Sequence, residues 1–146
     1  MTPKYYTGRK CKHGHTAFRY TSTRQCVKCV ANYTRHWQTK NPTKHLINRR
    51  NRYGRLKAKL IAQLGGRCAC RGCGEKELIF LCVDHKNGKG STHRRLIGGQ
   101  SRTYAWLARE IAAKGVKEVR RDFRVLCFNC NFAIHWLGSC PHAMAS

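Results

Sequence analysis

Three C-x2-C pairs constrain this chain more than anything else in it: CVKC (26–29), CRGC (70–73) and CFNC (127–130). Two cysteines at that spacing can turn both sulfurs toward one ion. The need for such an ion follows from length. A chain of 146 residues makes one ordinary domain, or two small ones that each require something besides a hydrophobic core. Ten cysteines and eight histidines can supply it. The opening MTPKYYTGRKCKHGH has no apolar stretch of the kind a secretion signal carries, so the cysteines are expected in a reducing cytosol. There, paired spacing argues for metal rather than disulfides.

Two structural zinc sites are expected. Cys70 and Cys73 would join Cys127 and Cys130 in a four-thiolate site, with Gly74 letting backbone amides face sulfur. Cys68 is a competing ligand, because Cys68 and Cys70 are only two residues apart. The front site would use Cys11, Cys26 and Cys29 with His15, which follows a tight glycine turn, or with His13. Cys82 reads as a core thiol, and Cys140 has no assignable role.

Charge points to the partner. Thirty Lys and Arg stand against six Asp and Glu, a formal +24, and no acid precedes Glu75. Such a field favours a polyanion, with nucleic acid first. A membrane is disfavoured, since the longest apolar run, LIFLCV (78–83), is far short of the roughly 20 residues of a spanning helix.

Along the chain, the spacing predicts helices over about 27–40, stopping at Asn41-Pro42, and over about 43–64, stopping at Gly65-Gly66. Between Arg35 and Lys59 lie nine basic residues and no acid. A charge run is ordinarily a solvated helix face, but here no intrahelical pairing is available, so Arg49, Arg50, Arg52, Arg55, Lys57 and Lys59 are expected to meet phosphates. A strand is expected at about 78–83, delivering Asp84 and His85. A glycine-rich loop at 87–101, a helix at 103–114, a second strand and a final helix follow within 122–138. This organisation gives a front zinc module with its helix (1–41), a basic linker helix (42–65) and a third domain (66–146).

In that third domain, Asp84-His85-Lys86-Asn87-Gly88, His93-Arg94, Val125 to Asn131 and Cys140-Pro141-His142 stand in an order that resembles the HNH endonucleases, closest to small phage-encoded members. The front GRKCKHGHTAFRYTS with CVKC is similar to the zinc segment of such enzymes. The resemblance implies an α+β fold: a small zinc-stapled ββα-metal core over about 66–142, with the front zinc module and basic helices attached.

It also implies roles. His85 would be the general base and Asp84 a ligand of one catalytic divalent ion. Asn131, standing at the last motif position, would be a second ligand, and Asp122 would orient the base by accepting its hydrogen bond and favouring the imidazolium. His135 lies one helical turn beyond Asn131 and could add a third ligand, or pack beside Trp136. His93 would touch phosphate or hold its loop, beside Arg94. The ion would be magnesium, or manganese if His135 binds. The only two aspartates of the chain, Asp84 and Asp122, both fall in this motif, as expected where a cation must sit among phosphates.

The expected function is therefore metal-dependent hydrolysis of double-stranded DNA, of a phage homing or restriction type, in the cytoplasm of a bacterial host. Cutting both strands with one active site per chain calls for two copies, which leaves a homodimer open. The alternative is a zinc-stapled DNA-binding protein without catalysis, a regulator or packaging factor.

Overall fold

A computed structural model describes residues 3–143, and among these the fold is a small α+β arrangement of two two-stranded sheets and six α-helices. The chain divides into two compact units that meet inside a helix, between Arg50 and Asn51.

The first unit has almost no apolar interior. β1 (Tyr5–Tyr6) pairs antiparallel with β2 (Arg19–Tyr20), setting the Tyr5 ring 5.3 Å from that of Tyr20. α1 (Val27–Lys40) follows at once. It ends where Asn41 returns both its backbone N–H and its side-chain amide to the Trp37 carbonyl, and Pro42 opens α2 (Pro42–Gln63) in the first turn, where an N–H has no partner within the helix. Among the described residues up to Arg50, Cys26 alone is buried among hydrophobics. Hydrophobic burial cannot hold so small a unit.

The second unit has a true core. β3 (Leu81–His85) pairs antiparallel with β4 (Phe123–Cys127), with Leu81 opposite Cys127, Asp84 opposite Arg124 and His85 opposite Phe123. Between the strands run α3 (Gly90–Leu96), α4 (Thr103–Lys114) and α5 (Val116–Asp122), and α6 (Phe128–Leu137) follows β4 without a break. Leu60, Ile61 and Leu64 pack with Leu81, Leu107, Val125 and Leu126, and each such buried side chain stabilises the fold by about 1.5–3 kcal/mol.

Several expectations need correction. The second half of α2 packs into the core of the second unit through Leu56, Leu60 and Ile61, and the two compact units divide within this helix, between Arg50 and Asn51. The strand expected at 78–83 begins at Leu81 and carries Asp84 and His85 inside it, because its register is set by five partners on β4. The apolar Ile79 and Phe80 lie in the preceding turn and are exposed. The glycine-rich stretch 87–101 holds α3, and Gly115, with φ of 85°, ends α4 only for α5 to begin at the next residue. No helix among the described residues is long and apolar enough to cross a membrane.

Candidate functional site

The cysteines gather into three groups that can hold metal ions. The front group is Cys11, His15, Cys26 and Cys29, as the spacing suggested, with His15 rather than His13. The tight turn is closed by the Gly14 N–H donating to the Cys11 carbonyl, and the positive φ of Gly14 permits it. His15 Nδ1 lies 3.6 Å from Cys11 Sγ, 3.3 Å from Cys29 Sγ and 4.0 Å from Cys26 Sγ, and the sulfurs of Cys11 and Cys29 are 3.6 Å apart. A tetrahedron with ordinary Zn–S and Zn–N bonds has edges of about 3.8 Å between sulfurs and about 3.5 Å from sulfur to nitrogen. The residues fit zinc. Without an ion the thiols cannot all ionise together. Burial opposes ionisation of Cys11, yet backbone amides at His15 and His13 and the neighbouring thiols bring it down to about 6. Burial and the hydrogen bonds with Cys11 and Cys26 push Cys29 up to about 11.

In the second unit the four-sulfur group is Cys68, Cys73, Cys127 and Cys130, so Cys68 takes the place expected for Cys70. Backbone geometry decides this. Cys68 is buried against β4 and its sulfur accepts the Cys127 N–H at 3.2 Å, while the Sγ atoms of Cys73 and Cys127 are 3.7 Å apart. Cys70 stands instead in a third group with Cys130, Cys140 and His142. Cys140, without a role in the sequence, is thus a candidate ligand.

A cleft of about 740 Å³ opens where β3, β4, α3 and α6 converge, and Asp84, His85, Asn131 and His135 all line it. Lys86, Arg94 and Arg124 line it as well, so a cationic wall surrounds the one carboxylate. Asn131 donates its amide to Cys82 Sγ at 3.4 Å, which leaves its carbonyl oxygen as the free end. The half-buried Cys82 therefore orients a cleft residue, with burial pushing its own thiol up. His135, in the last turn of α6, is exposed, its ring 5.7 Å from that of Trp136. Asp84 is not free. Its Oδ2 accepts from Arg124 Nε at 2.8 Å, directly across the strand pair.

His85 is held by a different residue from the Asp122 expected to orient it. Its Nε2 lies 2.7 Å from Nδ1 of His93, whose ring packs on Trp106 at 4.2 Å between centroids. Asp122, expected to orient the base, is exposed at the end of α5. Its backbone carbonyl accepts from Lys86, but its carboxylate makes no hydrogen bond to His85. The ionisation of His85 is corrected too. Burial first, then the adjacent His93, lowers its pKa below the ordinary value, so the neutral imidazole is favoured over the expected imidazolium. The other ring nitrogen, Nδ1, faces Gly90, where an added Cβ would stand 3.2 Å from it and 3.1 Å from Arg94 Nη1. A glycine here keeps open the space in front of that nitrogen.

Of the two roles expected for His93, contact with phosphate or support of its segment, the burial of its Nε2 fits the second. Of the basic residues expected on DNA, Arg94 lies in the cleft and Arg49, Arg50, Arg52, Arg55 and Lys59 are exposed on α2. Lys57 departs from the set. Its Nζ sits 5.7 Å over the Phe128 ring, and loss of solvent there lowers its pKa.

The chain matches no protein-family model, and neither a curated protein nor a solved structure matches it.

Proposed function

We propose that this chain is a metal-dependent DNA endonuclease of the HNH type, in which β3, β4 and α6 form the ββα-metal core. The observation that carries the reading is the convergence of Asp84 and His85 from β3 with Asn131 and His135 from α6 on one cationic cleft. Phosphodiester hydrolysis asks for a base, for cations around the phosphate and for room beside the base. His85 meets the first need: it is kept neutral, with Nδ1 toward the open space at Gly90, and it takes a proton from the attacking water. Lys86, Arg94 and Arg124 meet the second by gripping phosphate oxygens. A divalent ion, magnesium or manganese, on Asp84 and Asn131 with His135 adjacent, would neutralise charge on the phosphate and the leaving oxygen. The +24 charge supports double-stranded DNA as partner, and phage-type homing or restriction enzymes are the roles this chemistry suits.

One observation favours the second reading, a DNA-binding protein without catalysis. The Asp84 carboxylate is engaged by Arg124, which must share or release it before an ion can bind.

Plasmid cleavage with magnesium or manganese separates the two. The parent should cut, and His85→Ala should bind DNA like the parent while cutting about 10²- to 10⁴-fold more slowly. Should the parent bind DNA yet leave it intact with every divalent ion, the non-catalytic reading replaces this one.

A further inference from the structure

The two metal groups of the second unit are not independent, because Cys130 belongs to both. We propose that Cys130 bridges two zinc ions in a single cluster, the first held also by Cys68, Cys73 and Cys127 and the second also by Cys70, Cys140 and His142. The inference does not depend on the nuclease reading.

Donor number is the first argument. Six sulfurs and one imidazole make seven donors, one fewer than two tetrahedral ions require, and a shared thiolate supplies the eighth bond. Within each group all four donor atoms lie within 4.8 Å of one another. The separations that bound the second ion are 3.3 Å from Cys130 Sγ to His142 Nδ1 and 3.5 Å from Cys140 Sγ to the same nitrogen, close to the edge of about 3.5 Å for a zinc tetrahedron. On the first ion, Cys73 Sγ and Cys127 Sγ stand 3.7 Å apart, matching the sulfur–sulfur edge of about 3.8 Å.

The backbone supports the same arrangement. An added Cβ on Gly72 would meet the His142 carbonyl oxygen at 2.6 Å, so the knuckle carrying Cys70 is in close backbone contact with the segment carrying Cys140 and His142. Only a residue without a side chain permits that approach, and its φ of 77° also favours glycine. Cys130 and Cys140 are buried, at 0% and 3% exposure, which suits shared and terminal thiolates inside the fold rather than spare thiols on its surface.

Charge makes the second ion inexpensive to bury. Four thiolates around one zinc leave a formal −2. Adding a zinc with two more thiolates and a neutral imidazole leaves −2 again, because Cys130 serves both ions.

Elemental analysis of the intact parent should find three zinc ions per chain, one in the front group and two here. His142 is exposed, so His142→Ala should fold, and it should retain two zinc ions. A His142→Ala variant whose zinc content equals that of the parent overturns the second ion. Bridging has its own readout. With spin-half cadmium in place of zinc, the two ions of this unit should give resonances split by mutual coupling through the Cys130 sulfur. Two unsplit resonances would overturn the shared thiolate.

Discussion

At residue scale the proposed cleavage depends on a histidine pair. His85 can act from Nδ1 only if its proton resides on Nε2, and His93 Nδ1, 2.7 Å away, accepts that proton when His93 carries its own on Nε2. In the proposed reaction His93 is a positioning residue rather than a catalytic one. The adjacent Gly90 gives a cleaner test, because its conformation is open to any residue and only the space is at stake. Gly90→Ala should fold as the parent does, since the methyl meets only an arginine end and the base. It should slow cleavage by about 10-fold or more, the cost of crowding a water out of line with the base. Parental cleavage rates in this variant would mean that Nδ1 is not the working nitrogen. Nothing in the sequence around HKNGKG marked Gly90 for this task, as its neighbours in space are fixed only when α3 folds back over β3.

At the scale of elements, α2 and α4 meet through Tyr53 and Tyr104, whose rings are 5.3 Å apart and nearly perpendicular. Tyr104 is buried, and burial first, then the proximity of Tyr53, raises its pKa above the ordinary 10; burial raises that of Tyr53 too. The folded state thus holds both phenolic protons more tightly than the unfolded chain. Stability contributed this way is complete below pH 10 and is lost as the pH rises beyond it, because the unfolded chain ionises first. Denaturant midpoints measured on both sides of that pH should fall for the parent. They should fall less for Tyr104→Phe, which keeps only the share due to Tyr53. Equal slopes would place the Tyr104 hydroxyl in water rather than in the core. The same packing explains why the two compact units divide within α2. Charge run and helix periodicity mark 43–64 as one basic element, but Leu56, Leu60 and Ile61 commit its second half to the interior.

For the molecule as a whole, the +24 charge should make DNA affinity fall steeply with salt. Arg52, Arg55 and Lys59 recur at helical spacing on the exposed side of α2, away from its buried Leu60 and Ile61. Replacing Arg52 and Arg55 by glutamine should reduce the slope of log affinity against log salt by roughly one unit for each phosphate that is no longer neutralised. An unchanged slope would turn that face away from the nucleic acid. Lys57→Gln should change the slope little, because its amine already faces the Phe128 ring.

What the sequence alone determined is what depends on short spacing. Helix α1, most of α2, helix α4 and the front group of Cys11, His15, Cys26 and Cys29 are local: caps, prolines, glycine turns and C-x2-C pairs act over a few residues. Tertiary structure decided whatever depends on strand register and on segments far apart in the chain. Five paired positions set Asp84 against Arg124, and the Ala69 N–H on the Val125 carbonyl brought Cys68 to the Cys127 amide, while Cys70 faced the segment of Cys140 and His142. Likewise Asp122 was near in motif but turned outward, and His93, expected in a loop, stands behind His85 on a helix. A ligand spacing says which sulfurs can share an ion; only the packed backbone says which of them do, because neighbouring cysteines on one turn point in different directions.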